Sequence, residues 1–173
     1  MASRDIKRLT PPIIHLVEHF LEVAKWEDFP LLVYCANRAV EEQARLWRIG
    51  RHAVEIQAGI ERLHEYNPIL ADILRDVGPQ PGRRKVTWAM PGQSAHNYGL
   101  AIDGCPMRDG KPVWGTVNKA DRKVWEQYVS MAESIPGLEP GGRWPGRKRD
   151  FPHIQMANFN WRSVISTPLA QIA

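Results

Sequence analysis

The spacing of apolar residues along the chain predicts a mixture of helices and short strands. After Pro11-Pro12, apolar residues recur at helical spacing and predict a helix that runs to about Lys25. The short apolar run at residues 31–35 is typical of a buried strand. The same criteria predict a helix over residues 40–49 and a second over residues 58–76, with a break or kink at Asn67-Pro68. A further helix is predicted from Asn118 or Asp121 to Ser134. Strands are predicted over residues 101–106 and 153–156.

The remaining segments are predicted to be loops and turns. Residues 78–92 and 137–149 are rich in Pro, Gly and Arg, and Asp109-Gly110 is typical of a tight turn between strands. Because the strands do not alternate regularly with the helices, the pattern favours an α+β fold over a doubly wound sheet. A chain of 173 residues has room for one domain with a substantial core, so residues 1–173 are predicted to form a single domain.

The composition and the net charge of the chain limit the kinds of binding partner that we expect for it. Apolar residues make up 43% of the chain and charged residues 24%, both ordinary for a globular protein, and the net charge of +4 favours an acidic partner or surface. The basic runs Arg83-Arg84-Lys85 and Arg147-Lys148-Arg149 lack the interleaved aromatic residues of a single-stranded nucleic acid platform, so no nucleic acid partner is predicted. They are interpreted as solvated loops, with attraction to a polyanion such as a bacterial cell wall as the alternative.

The cysteines and the N-terminal sequence are used to predict the cellular compartment in which the protein is made. Cys35 and Cys105 form no CxxC pair, which indicates neither a disulfide framework nor a structural zinc finger, and both are expected to be small buried hydrophobic residues. The charged N-terminal stretch is not followed by the apolar run of a signal peptide, and no segment approaches ~20 apolar residues. We therefore expect synthesis in the cytoplasm without a secretion signal and no membrane insertion.

Candidate metal chemistry lies in the stretch that runs from His96 to Asp103. These residues are seven apart, and seven extended residues span ~23 Å, so the two side chains cannot meet within one straight strand. Gly99 supplies the backbone freedom that lets the chain fold back between them. A carboxylate flanked by Ala101 and Ile102 needs a partner that offsets its desolvation, and a metal ion is such a partner.

A second stretch, Asp150-Phe-Pro152-His153, adds the remaining polar groups. Residues three apart on a strand point to opposite faces, but Pro152 disfavours a regular ladder and leaves Asp150 in the loop before the strand. Asp150 and His153 can then face one cavity. Two histidines and one aspartate are a ligand set suited to Zn²⁺ with a fourth position open for water, which indicates catalysis rather than scaffolding.

Together these residues resemble a known family. The pattern Ser94-x-His96-x-x-Gly99-x-Ala101-x-Asp103, followed downstream by Asp150-x-x-His153, is similar to that of the zinc peptidases that comprise D-Ala-D-Ala carboxypeptidases and L-alanyl-D-glutamate endopeptidases, many phage endolysins among them. The likeness runs from about residue 30 to residue 156 and includes Asn37-Arg38, Glu42-Gln43, Leu46-Trp47, Asp109-Gly110-Lys111, Trp114 and Gly141-Gly142-Arg143-Trp144.

The resemblance implies specific roles for five residues. It makes His96, Asp103 and His153 the ligands of one zinc ion, Asp150 the catalytic acidic residue, and Arg38 the arginine that stabilises the oxyanion. It also implies a small antiparallel sheet flanked by helices. In the implied mechanism Asp150 takes the proton of a water that attacks a peptide carbonyl and then passes it to the leaving amine.

The resemblance also implies the substrate. This is the stem peptide of peptidoglycan, with the L-alanyl-D-glutamate bond as the first expectation and D-Ala-D-Ala carboxypeptidase activity as the alternative. Since no signal peptide is found, the sequence favours a phage endolysin that reaches the host cell wall after a separate pore has formed. The protein is expected to be a monomer.

Three other interpretations of these residues are open. His15-Leu-Val-Glu18-His19 fits the H-x-x-E-H pattern of inverted zincins, although the apolar residues around it also suit an ordinary amphipathic helix. The same fold and metal could serve a non-catalytic binding module, as in the hedgehog signalling domain. Taken singly, His153 could be a structural histidine and Arg38 a surface arginine.

Overall fold

The computed structural model describes residues 3–166, which divide into two compact units. The sheet unit comprises Ser3–Asn37 and Leu100–Phe159, and the helical unit comprises Arg38–Gly99 together with the described residues from Asn160 onward. Each unit is described by itself, and the expected single domain stays a prediction. No helix among the described residues has the length and apolar character needed to cross a membrane.

The chain contains five helices and five strands of regular structure within residues 3–166, and the prediction of an α+β fold is confirmed. In chain order they are α1 (Ile13–Trp26), β1 (Leu31–Cys35), α2 (Val40–Trp47), α3 (Ala53–His64), α4 (Pro68–Val77), β2 (Ala101–Arg108), β3 (Lys111–Pro112), α5 (Lys119–Glu133), β4 (Leu138–Pro140) and β5 (His153–Met156).

The sheet unit is built on an antiparallel sheet with the strand order β1-β2-β5-β4, and β3 forms a hairpin with β2. Asp109 and Gly110 both have positive φ at this hairpin, as a tight two-residue turn requires. One face of the sheet presents Ile102 and Ile154 to a core that also contains the apolar faces of α1 and α5. The predicted small antiparallel sheet flanked by helices is therefore confirmed.

The helical unit consists of α2, α3 and α4, whose apolar faces supply its buried residues. The side chain of Asn67 caps α4 by accepting from the backbone N–H groups of Ile69 and Leu70, and Pro68 stands at the first helical position. Gly59 on α3 lets the Trp47 ring approach, because an added Cβ would lie 2.6 Å from that ring. The predicted break at Asn67-Pro68 is thus a complete end of one helix and the start of another.

Two sequence predictions of element boundaries were wrong. The helix expected from residue 58 begins at Ala53, where the backbone N–H of His52 donates to the carboxylate of Glu55. The segment 137–149, expected to be loop throughout, contains the strand β4. This strand has only three residues, one of them Pro140, and it lies at the edge of the sheet, where proline is tolerated and periodicity is too short to detect.

A close contact between β2 and α5 fixes the backbone next to Asp103. The Tyr128 hydroxyl lies 2.6 Å from the position of a Cβ on Gly104 and donates to the carbonyl of Pro152 at 2.9 Å. The N–H of Gly104 donates to the same carbonyl at 3.0 Å. Only a residue without a side chain leaves room for this hydroxyl, which accounts for glycine after Asp103.

We predict that Gly104→Ala lowers the free energy of unfolding by about 1–3 kcal/mol, because the methyl group overpacks against Tyr128. Tyr128→Phe removes a hydrogen bond that contributes about 1 kcal/mol, but it should cost less in the Gly104→Ala background, where it also relieves the clash. Urea unfolding of the parent protein, the two single variants and the double variant measures the coupling free energy between Gly104 and Tyr128. Gly115→Ala is the matched control, since its methyl would meet only Asp121, at 3.2 Å. Strictly additive effects would contradict the contact.

Candidate metal centre

The pairing of β2 with β5 sets Asp103 directly opposite His153. Both side chains are buried, each residue being 7% exposed, and they lie on the face of the sheet opposite to Ile102 and Ile154. Nδ1 of His153 lies 3.3 Å from Oδ1 of Asp103. The structure thus brings together two of the three predicted metal ligands.

This pair of side chains has the chemistry of a cation site. Burial alone lowers the pKa of His153, but the hydrogen bond that the ring donates to Asp103 and the negative charges of Asp103 and Asp150 outweigh it and raise the pKa above its ordinary value. A neutral imidazole whose Nδ1 lone pair faces a carboxylate needs a positive charge between the two atoms. Two ligands of a tetrahedral zinc ion, each ~2.0–2.1 Å from the metal, lie about 3.3 Å apart, so the observed separation fits such an ion.

A bulge in β1 brings two more side chains towards Asp103. Val33 pairs with Gly104 but Cys35 pairs with Asp103, so Tyr34 is the extra residue. Sγ of Cys35 and a carboxylate oxygen of Asp103 lie within 4.8 Å of each other. Burial, together with the charges of Asp103 and Asp150, raises the pKa of Tyr34 far above its ordinary value, so its hydroxyl keeps its proton. Both cysteines are buried, as predicted, and they form no disulfide with each other.

Asp150 lies in the loop that leads into β5, as the position of Pro152 predicted. The residue is exposed, and its backbone N–H donates to the carbonyl of Gly141 at 3.0 Å, while the N–H of His153 donates to its carbonyl at 3.3 Å. Gly141 permits this approach, because a Cβ there would lie 2.6 Å from the Asp150 carbonyl oxygen. Backbone hydrogen bonds therefore hold Asp150 beside the strand that carries His153.

His96 lies in the helical unit, on the 3-10 turn Ala95–Tyr98, and is 1% exposed. Gly99 follows in the left-handed conformation with φ of 63°, which agrees with the predicted fold-back of the chain. The buried side chain of Asn97 holds this turn by donating to the carbonyl of Arg38 at 2.8 Å and accepting from the N–H of Gly92 at 3.0 Å. The turn that carries His96 is thereby tied to the residue predicted to stabilise the oxyanion.

Arg38 is joined to His96 and to a buried glutamine within the helical unit. Its backbone N–H donates to the carbonyl of His96 at 3.1 Å, and its Nη1 donates to Oε1 of Gln43 at 3.0 Å. Gln43 is fully buried and donates in turn to the carbonyl of Ala89 at 2.7 Å. Because that carbonyl can only accept, the amide of Gln43 has its oxygen fixed towards Arg38.

The predicted residues are thus distributed over the two units. The sheet unit brings Asp103, His153 and the loop of Asp150 together, and the helical unit joins His96 to Arg38. The complete three-ligand set stays a prediction. The rival zincin residues lie on the solvent side of α1, where His15 Nδ1 contacts Glu18 at 3.3 Å and the His15 side chain is 79% exposed.

Sequence reasoning missed the polar partners of His153. Gln155 contacts Nε2 of the imidazole at 3.1 Å and donates to Glu139 at 3.3 Å, and Glu139 accepts from the indole of Trp144 at 2.6 Å. A signal for Gln155 was available, because residues two apart on a strand share a face. For Glu139 there was none, since β4 was expected to be loop.

Comparison with known proteins shows which family this segment is similar to. Residues 88–156 match the model of a peptidase family described as D-alanyl-D-alanine carboxypeptidase. That range contains His96, Asp103, Asp150 and His153, so the resemblance predicted from the sequence is confirmed over this segment.

One curated protein and one solved structure are similar to this chain. The chain is 40% identical over 75 residues to the peptidoglycan L-alanyl-D-glutamate endopeptidase CwlK of Bacillus subtilis (strain 168). The alignment covers 41% of this chain and 44% of the relative, so the chain matches less than half of that protein's length. Among solved structures, the LdcB LD-carboxypeptidase aligns with 96% of this chain and 67% of its own, at 18% identity and a TM-score of 0.49.

The hydrogen bonds of Gln43 lead to a prediction about stability. Gln43→Leu should lower the free energy of unfolding by about 1–3 kcal/mol, because it leaves the carbonyl of Ala89 and the Arg38 guanidinium without this partner. Gln57→Leu, which breaks an exposed amide–carboxylate bond to Glu61, is the control and should change stability by less than about 0.5 kcal/mol. Equal unfolding midpoints in urea for the two variants would show that Gln43 does not hold Arg38.

Proposed function

We propose that this protein is a zinc peptidase that cleaves the stem peptide of peptidoglycan. The observation that carries the proposal is the buried pair of Asp103 and His153, whose facing atoms lie 3.3 Å apart inside a segment similar to a peptidase family. His96, Asp103 and His153 are the proposed ligands, and Zn²⁺ is the proposed ion because two imidazoles and one carboxylate form a catalytic zinc set.

Asp150 and Arg38 are proposed to carry out the proton transfer and the charge stabilisation. When bound, the metal would supply a Lewis acid that acidifies water and polarises a peptide carbonyl. Asp150 would accept the proton of the attacking water and deliver it to the leaving amine, a role that suits an exposed carboxylate beside a metal ligand. Arg38, kept in place by Gln43, would donate to the developing oxyanion.

The relatives suggest two bonds as targets. The curated relative is named for the L-alanyl-D-glutamate bond, which is the first proposal for this chain. The description of the family model favours the D-alanyl-D-alanine bond as the second candidate. A monomeric phage endolysin acting on the host cell wall is the proposed biological setting, and a non-catalytic binding module is the competing function. Mass spectrometry of muropeptides after digestion separates the two bonds, and unchanged muropeptides favour the binding module.

Metal analysis tests the ligand set. The purified protein should contain about one zinc ion per chain, and His96→Ala and His153→Ala should each lose it, because a site with two protein ligands binds zinc much more weakly. His15→Ala is the matched control and should keep the metal. A zinc content that falls in His15→Ala and persists in His153→Ala would favour the inverted zincin instead.

Asp150→Asn tests the role of the acidic residue. This variant should keep its zinc and its fold but lose ~10²–10⁴-fold in turnover of a defined stem peptide, because an amide cannot accept the proton. Asp109→Asn provides the control, since Asp109 is an exposed turn residue with positive φ that asparagine tolerates. Turnover by Asp150→Asn within a few-fold of the control would remove Asp150 from the proposed mechanism.

A further inference from the structure

A chain of hydrogen bonds leads from the edge of the sheet to the imidazole of His153. The indole Nε1 of Trp144 donates to Oε1 of Glu139 at 2.6 Å, and Nε2 of Gln155 donates to Oε2 of the same carboxylate at 3.3 Å. Oε1 of Gln155 lies 3.1 Å from Nε2 of His153. The sheet register places these groups side by side, because Gln155 pairs with Glu139 across β4 and β5 and shares a face with His153.

The Trp144 indole and the Glu139 carboxylate fix which group donates and which accepts in every hydrogen bond of this series. An indole N–H can only donate, and an ionised carboxylate can only accept. The amide of Gln155 must therefore turn its NH₂ group towards Glu139 and its oxygen towards His153. That oxygen can only accept, so the imidazole nitrogen that faces it must carry the proton.

We propose that Gln155 is a positioning residue that holds His153 in the tautomer protonated at Nε2. In the neutral ring the lone pair then lies on Nδ1, the atom that faces Oδ1 of Asp103 at 3.3 Å. The inference rests on the proposed zinc site, because it assigns Nδ1 as the nitrogen that binds the metal. Glu139 fixes the amide of Gln155, and Trp144 anchors Glu139 while its ring packs against the imidazole with centroids 5.0 Å apart.

The burial of Gln155 and His153 favours the one tautomer over the other. Gln155 and His153 are 9% and 7% exposed, so water competes poorly for the ring nitrogen or the amide. A histidine whose second nitrogen is unpartnered can rotate or exchange tautomers, and both changes remove the lone pair from the metal. Loss of such an outer partner typically lowers metal affinity about 10–100-fold.

The main test is Gln155→Met, which keeps the length of the side chain and removes both polar atoms. Zinc affinity, measured by competition with a chelator, should fall about 10–100-fold. Gln57→Met is the matched control, because it also removes an amide bonded to a glutamate, Glu61, but on an exposed helix face. Its zinc affinity should equal that of the parent protein.

A spectroscopic measurement separates positioning from a general loss of structure. Nitrogen-15 NMR of the histidine side chains distinguishes protonated from unprotonated ring nitrogens. In the zinc-loaded parent protein His153 should have a protonated Nε2 and an unprotonated Nδ1; in the metal-free form, where the Asp103 carboxylate faces Nδ1 as a second acceptor, Nε2 should still carry its proton. Gln155→Met should lower the fraction of metal-free His153 with a protonated Nε2, because no acceptor then faces that nitrogen, while the thermal midpoint checks that the variant is folded.

A swap of the two outer residues tests the direction of the hydrogen bonds. Gln155→Glu alone puts two carboxylates next to each other and should bind zinc more weakly than the swapped pair. Combining it with Glu139→Gln restores one donor and one acceptor. The amide introduced on β4 can accept from Trp144 and donate to the carboxylate introduced on β5, and that carboxylate accepts from His153. The double variant should therefore recover the tautomer and most of the zinc affinity.

The outcomes distinguish this inference from the proposed function. If the parent binds zinc and Gln155→Met keeps both affinity and tautomer, Gln155 does not position His153, while the zinc site stands. If the parent binds no zinc but its metal-free His153 keeps a protonated Nε2 only when Gln155 is present, the positioning role stands and the zinc proposal fails. A parent protein with an unprotonated Nε2 on His153 would overturn the inference directly.

Discussion

The placement of two buried acceptors, Asp103 and His153, opposite each other in the sheet is the constraint on which the rest of the sheet unit depends. Both side chains are buried on the polar face of the sheet, and their facing atoms repel unless a proton or a metal ion lies between them. A fold that keeps this pair needs a proton or a metal ion between the two side chains. The same requirement is what the proposed zinc site would meet.

The neighbouring residues keep the pair in this geometry. Tyr128, Gly104 and the carbonyl of Pro152 form one anchored junction, which fixes the backbone immediately after Asp103 and immediately before His153. On the other side of His153, Gln155 and Glu139 extend the hydrogen bonding to the edge strand. The two proposed ligands are thus supported from both directions along the chain, and the acidic residue Asp150 is supported separately by its loop.

Much of the fold and the positions of the candidate residues could be predicted from the sequence. Strands β1 and β5 and the interruption of the helical segment at Asn67-Pro68 follow from local apolar runs and proline chemistry, which act over a few residues. The hydrogen-bonding partners could not be predicted, because each depends on a long-range register. Gln43 bonds to the carbonyl of Ala89 in a segment without periodicity, and Glu139 acquires a defined face only through β4, a strand of three residues.

The alternation of side chains along β5 has a consequence for folding. Ile154 belongs to the apolar core, while His153 and Gln155 on either side of it belong to the polar face. A slip of β5 by one residue would bury an imidazole and a carboxamide among the side chains of α1 and α5 and would turn the isoleucine outward. Beyond their proposed part in a metal site, the polar residues therefore make a one-residue shift of β5 costly, which favours a single pairing of β2 with β5.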